Sequence, residues 1–127
     1  GFKDRKLIIW DINSGYIVTT TQIEAISDII WGGRVKDIKR RPTKNYLFAT
    51  CGKNEIRLWA LNPSNGKLLS DKCHTTIKRE YTCLSFSKTG DILVVGTMSG
   101  DFFVINVRKL NIIGHYTTCV YGIRKIY

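Results

Sequence analysis

Short runs of β-branched, aromatic and aliphatic residues, five or six long and broken by turn-forming residues, recur along the whole chain. Three of them share one shape: Leu7-Ile8-Ile9-Trp10-Asp11, Ile56-Arg57-Leu58-Trp59-Ala60 and Phe102-Phe103-Val104-Ile105-Asn106. From Trp10 to Trp59 is 49 positions, and from Trp59 to Ile105 is 46. A period of that length with no long helical stretch inside it predicts four short strands and their turns per unit. In the second unit the strands are expected at Val35–Lys39, Tyr46–Thr50, Glu55–Ala60 and Lys67–Lys72. Pro42 interrupts the ladder between the first two because it offers no N–H. Asn62-Pro63-Ser64-Asn65-Gly66 turns the chain before the fourth. The third unit repeats the plan at Tyr81–Phe86, Ile92–Gly96, Phe102–Asn106 and Leu110–Ile113. Phe48-Ala49-Thr50-Cys51-Gly52 aligns without gaps against Val94-Val95-Gly96-Thr97-Met98.

The ends carry partial units. Leu7–Trp10 and Tyr16–Thr20 read as the last two strands of a first unit, and Val120–Tyr127 as the first strand of a fourth. Residues 23–33 fit the plan less well. Ile23, Ile26 and Ile30 could mark one helical face ended by Gly32-Gly33. The preferred reading is an inserted loop between units, with Ile29 and Trp31 packed beneath it.

These residues resemble the WD40 family. Trp10-Asp11 is its namesake dipeptide, and Gly114-His115, followed by Val120 and Ile123, is similar to the Gly-His that opens a repeat. The resemblance implies an all-β fold, an incomplete β-propeller of WD40 type. Residues 1–22 would end one blade, 35–72 form a second, 81–113 a third and 120–127 start a fourth. Each such sheet is apolar on both faces and must lie between neighbours to bury them. Three blades cannot close a ring, so two apolar faces are expected to stay open and to drive self-association of the chain alone.

The resemblance also implies a buried polar network in each blade. It joins a His between blades, an Asp in the turn before the third strand, a hydroxyl on the second strand and a Trp on the third. The candidates are Asp4, Trp10 and Asp11 in the first unit, Thr50 and Trp59 in the second, and His74 and His115 in the connections. Lys53 and Ser99 stand where the turn Asp would be, and Ile105 replaces the third Trp. Within the family, the early blades of ciliary and flagellar members are similar to residues 1–11, 48–59, 62–65 and 96–101. That likeness implies a scaffold on the microtubules of the axoneme, with tubulin and other axonemal proteins as partners.

Composition adds one feature to this picture. Twenty Lys and Arg against ten Asp and Glu give the 127-residue chain a net charge of +10. Such a charge attracts a polyanion, an acidic protein or a membrane face; it also fits a solvated surface whose acidic complement lies elsewhere in a longer chain. Because propeller strands alternate in direction, turns after the first and third strands share one end. That end collects Arg40, Arg41, Lys44, Lys67, Lys88, Arg108 and Lys109, opposed by Asp11 and Asp91, as a candidate docking face. The other end mixes Lys3, Arg5, Lys53, Lys78 and Arg79 with Asp4, Glu24, Asp28, Glu55, Asp71, Glu80 and Asp101.

The remaining chemistry is sparse. Cys51, Cys73, Cys83 and Cys119 form no Cys-x-x-Cys pair, which favours reduced thiols in an intracellular protein. Cys73, His74 and Cys83 match no zinc spacing. There is no phosphate-binding glycine loop and no nucleophile elbow, so neither a catalytic site nor a cofactor is expected. No run of eighteen apolar residues marks a membrane span. The opening Gly1-Phe2-Lys3-Asp4-Arg5-Lys6 lacks a signal-peptide core, and its start without Met in mid-pattern suggests a piece of something longer. Gly100-Asp101-Phe102-Phe103-Val104 is faintly similar to the aromatic strand of RNA-binding RRM domains, which keeps a basic nucleic-acid-binding module as a rival, ranked unlikely for want of helices. The expected function is a non-catalytic scaffold, cytoplasmic and axonemal. A WD40 adaptor in another cytoplasmic or nuclear complex is the alternative.

Overall fold

The computed structural model describes residues 5–73 and 78–117. Ten strands follow one another with no helix among the described residues: β1 Lys6–Trp10, β2 Ile17–Gln22, β3 Ile26–Lys36, β4 Pro42–Gly52, β5 Glu55–Leu61, β6 Leu68–Lys72, β7 Tyr81–Phe86, β8 Ile92–Thr97, β9 Asp101–Asn106 and β10 Asn111–Thr117. They form three antiparallel meanders: β1-β2, β3-β4-β5-β6 and β7-β8-β9-β10. The expected fourth-unit strand at residues 120–127, Asp4 and His74 lie outside the described residues.

Alternation along β4 and β5 explains why these sheets stand side by side. Phe48, Trp59 and Leu61 point to one face, where Leu7 of β1 closes a cluster with Ile9, Val18, Ile23 and Leu68. Leu47, Ala49, Cys51, Ile56 and Leu58 point to the other, where they join Tyr81, Leu84, Leu93, Val95, Phe103 and Ile105 of the third sheet. The middle sheet is therefore apolar on both sides and is sandwiched. Each buried Leu, Ile or Phe contributes about 1.5–3 kcal/mol.

Residues 26–36 are neither a loop nor a helix. They are β3, the edge of the middle sheet that lies along β7. The second sheet thus begins at Ile26 rather than Val35, and its first strand ends at Lys36 rather than Lys39. Three register breaks in the β3–β4 pairing, at Ile26/Asp28, Trp31/Gly33 and Arg34/Lys36, interrupt the period-two pattern that would have marked a strand. Several contacts tie β3 to the third sheet. The Leu84 N–H donates to Asp28 Oδ2 at 2.9 Å, Lys36 Nζ donates to the Thr89 carbonyl at 2.6 Å, and Gly32 faces the Phe86 ring so closely that a Cβ would lie 2.8 Å from it.

Two other expectations are corrected. Phe48 stands opposite Trp59, but Leu93, not Val94, stands opposite Ile105. The turn Lys53-Asn54 has two residues between strands, whereas Met98-Ser99-Gly100 has three. The gap-free alignment therefore slips by one, which inverts the faces of one strand relative to it. The fourth strand of the third sheet continues through Gly114 and His115 to Thr117, so this pair sits in β10, opposite Val104 and Phe103, and not in a connection opening another unit.

The first and second sheets meet closely at Gly66. Its φ is +71°, and an added Cβ would lie 2.5 Å from the Val18 carbonyl oxygen. Gly66→Ala is expected to destabilise the chain by about 1–3 kcal/mol in urea titrations, because neither the backbone conformation nor the neighbour can accommodate it. Gly15, with φ +74° but open space around it, should lose only about 1 kcal/mol.

Candidate functional site

Because the strands run alternately up and down, the turns β1–β2, β3–β4, β5–β6, β7–β8 and β9–β10 gather at one end of the sheets. Arg40, Arg41, Lys67, Lys88, Arg108 and Lys109 lie in these turns, and Lys44 lies near the start of β4; all are exposed. Lys36 and Lys39 add to them, giving nine cations against Asp11, Asp37 and Asp91. Asp37 escaped the sequence reading; it caps its own turn, accepting from the Lys39 and Arg41 N–H groups at 2.9 Å each, and pairs with Arg41 Nε at 3.2 Å. Asp91 receives Lys36 at 3.2 Å and Arg40, both from across the sheet gap. Lys36 foremost holds its carboxyl below the usual range. Arg108 reaches the Ile38 carbonyl at 3.2 Å. Asp11 serves its own turn, accepting from the Asn13 N–H at 2.9 Å.

The network residues separate. Trp59 Nε1 donates to Thr50 Oγ1 at 3.0 Å in a buried setting, and its ring stacks on Phe48 at 5.6 Å. Trp10 is 56% exposed. In the third sheet the buried hub is Asp101, at the start of β9. It accepts from Thr97 Oγ1, from Arg79 Nε at 3.1 Å and from His115 Nε2 at 2.6 Å. The His115 ring lies flat on Phe103 at 4.3 Å. Ser99, the position expected to stand for the turn carboxylate, only donates its N–H to Thr97 Oγ1. Sequence reasoning placed Asp101 among the mixed charges of the end opposite the basic one. Its buried apolar neighbours and the hydroxyl four residues earlier were the available signal.

The three thiols among the described residues, Cys51, Cys73 and Cys83, are buried. Burial pushes Cys51 up to about 12, and burial likewise raises Cys73 and Cys83. A protonated thiol is a poor nucleophile and a poor metal ligand. No cluster of His, Cys, Asp and Glu with metal-binding geometry occurs among the described residues. Phe103 is fully buried and so closed to a nucleic-acid base, while Phe102 is half-buried and stacked on Tyr116 at 5.2 Å.

No family model matches the chain. It is 35% identical over 63 residues to the nuclear distribution protein PAC1 of Arthroderma otae, covering 50% of this chain. It is 30% identical over 77 residues to human dynein axonemal intermediate chain 4, covering 60% of this chain. Over 109 residues, 85% of the chain, it is 23% identical to cilia- and flagella-associated protein 52 of Bos taurus. All three are WD40-type proteins. The matches span only 12%, 9% and 17% of those relatives' lengths. In fold, the chain is similar to the crystal structure of the Cps50 (Swd1) β-propeller domain of Myceliophteria thermophila, with a TM-score of 0.71 over 94% of this chain and 38% of that one, at 17% identity. Side-by-side meanders with apolar faces in common, together with these likenesses, give the chain the fold of a stretch of WD40-type β-propeller.

Proposed function

We propose that this chain is a non-catalytic scaffold whose basic end docks on acidic protein surfaces, the microtubules of cilia and flagella foremost. The observation that carries the reading is the clustering of nine cations against three carboxylates on one end of the sheets. Tubulin is acidic, and charge complementarity of this kind speeds association and selects partners. Two relatives support the setting by name, one an axonemal dynein chain and one a cilia- and flagella-associated protein. The blades present these turns on rigid strands, so docking needs no moving part.

Cosedimentation with microtubules across a salt series tests this. Binding is expected at low salt and should weaken as ionic strength rises and the screening length contracts toward about 8 Å. Reversing Arg41, Lys44 and Lys88 to Glu together should release the chain from the pellet while its thermal melt stays within about 1 kcal/mol of the parent, since all three are exposed. Pelleting untouched by this triple reversal would remove the basic end from the account. Binding to RNA without binding to microtubules would favour the nucleic-acid rival.

A further inference from the structure

Between the second and third blades a groove of about 620 Å³ opens at the basic end. Leu58, Leu69, Val107 and Leu110 supply its apolar wall, while Arg40, Arg108 and Lys109 stand at its rim. Leu69 is 61% exposed, a large apolar side chain left uncovered on β6. The acids nearby are Asp37, Asp71 and Asp91, of which Asp37 is engaged by Arg41 and Asp91 by Lys36 and Arg40.

The backbone of this groove departs from that of its neighbours. Each of the five turns at the basic end contains a residue in the left-handed region. Three use glycine: Gly15 at φ +74°, Gly66 at +71° and Gly90 at +79°. The other two place Arg40 at +64° and Leu110 at +54°, and both line this groove beside the Gly90 turn. A side chain in that conformation costs roughly 1–2 kcal/mol relative to glycine. The third non-glycine there, Asn54 at +59°, sits at the other end and is a residue type that tolerates the conformation. Strain of this sort is concentrated where a side chain is used for contact.

We infer that the groove between the second and third blades binds an extended acidic peptide that carries an apolar side chain. The apolar residue lies against Leu69 and Leu110, and flanking carboxylates meet Arg40, Arg108 and Lys109. This rests on the reading that the basic end docks acidic protein, and it specifies where and what kind of segment is held.

Fluorescence anisotropy of the chain with a fluorescein-labelled peptide of alternating Glu and Leu tests it, against an all-Glu peptide of the same length and a Lys-Leu counterpart. The Glu-Leu peptide should bind about tenfold more tightly than the all-Glu peptide, as expected for one buried Leu, and the Lys-Leu peptide should not bind. Leu69→Glu should weaken the Glu-Leu peptide at least tenfold. Arg40→Gly should weaken it severalfold while changing the unfolding free energy by less than about 1 kcal/mol, because relief of the left-handed turn offsets loss of the exposed Arg40–Asp91 pair. Equal binding of the Glu-Leu and all-Glu peptides, or indifference to both substitutions, would overturn the groove. Should microtubule pelleting still depend on Arg41, Lys44 and Lys88 in that case, the basic end stands and only the groove falls. A peptide held in the groove, with no pelleting of the parent chain on microtubules at low salt, would reject the microtubule reading alone.

Discussion

Asp101→Ala is expected to lower the unfolding free energy by about 3 kcal/mol, on the scale set by breaking a buried, hydrogen-bonded charge pair. The carboxylate is 3% exposed and accepts from three side chains on different segments. Its removal leaves the fully buried Thr97 hydroxyl and the His115 ring without this acceptor, while Arg79 keeps only the Lys78 carbonyl at 3.1 Å among its protein acceptors. Burial by itself would push the Asp101 carboxyl up, but hydrogen bonds from Thr97, His115 and Arg79 outweigh it and hold the group below its ordinary value. A carboxyl depressed in the folded state stabilises above its unfolded pKa, near 3.9, and that stability is lost as pH falls through the folded value. Urea titrations of the parent should therefore show stability declining below about pH 4. Asp101→Asn, which keeps the shape without the charge, should flatten that decline. An Asp101→Ala loss under about 1 kcal/mol would mean the hub carries no weight.

Trp59→Ala is expected to cost about 3–5 kcal/mol, whereas Trp10→Ala should cost less than about 1 kcal/mol. Trp59 is 8% exposed, stacks nearly parallel on Phe48 and shares the cluster that joins the first sheet to the second. Its indole N–H is bonded to Thr50, so truncation leaves both a cavity and an unpaired buried hydroxyl. Trp10 occupies the matching strand position in the first sheet but is 56% exposed. Domains of this size have about 5–15 kcal/mol in hand, so the Trp59 variant should approach the unfolding threshold at ambient temperature. Paired chemical denaturation curves decide it. Equal losses at the two tryptophans would contradict the sandwiching of the middle sheet.

The strands most legible in the sequence were those with uninterrupted β-branched and aromatic runs between strong turn residues. Glu55–Leu61, Tyr81–Phe86 and Ile92–Thr97 are of this kind. Strand β3 was missed because its bulges break the alternation and its isoleucines fall at helical spacing. Yet it supplies Asp28, Gly32 and Lys36, the residues that tie the second blade to the third. The one-residue slip at Met98-Ser99-Gly100 was hidden for a different reason. A gap-free alignment preserves spacing along the chain but cannot see which residues face each other across a turn.

The site was legible in part for a similar reason. Sorting turns by strand direction is enough to gather Arg40, Arg41, Lys67 and Lys88 at one end of any antiparallel meander. Their partners are not local. Arg40 meets Asp91 from 51 positions away, and Asp101 meets Arg79 and His115 at 22 and 14. The exposure of Leu69 and the left-handed backbone of Arg40 and Leu110 have no counterpart in composition or spacing.

The packing of one blade edge against the next can be read from a single pair of residues by solution NMR. Gly32 on β3 and the Phe86 ring on β7 belong to different sheets and are in direct contact. The account predicts nuclear Overhauser cross-peaks between the Gly32 α-protons and the Phe86 ring, with those α-protons displaced by the ring current. Absence of these cross-peaks, in a spectrum that does show Trp31 against Phe48 within the middle sheet, would contradict it.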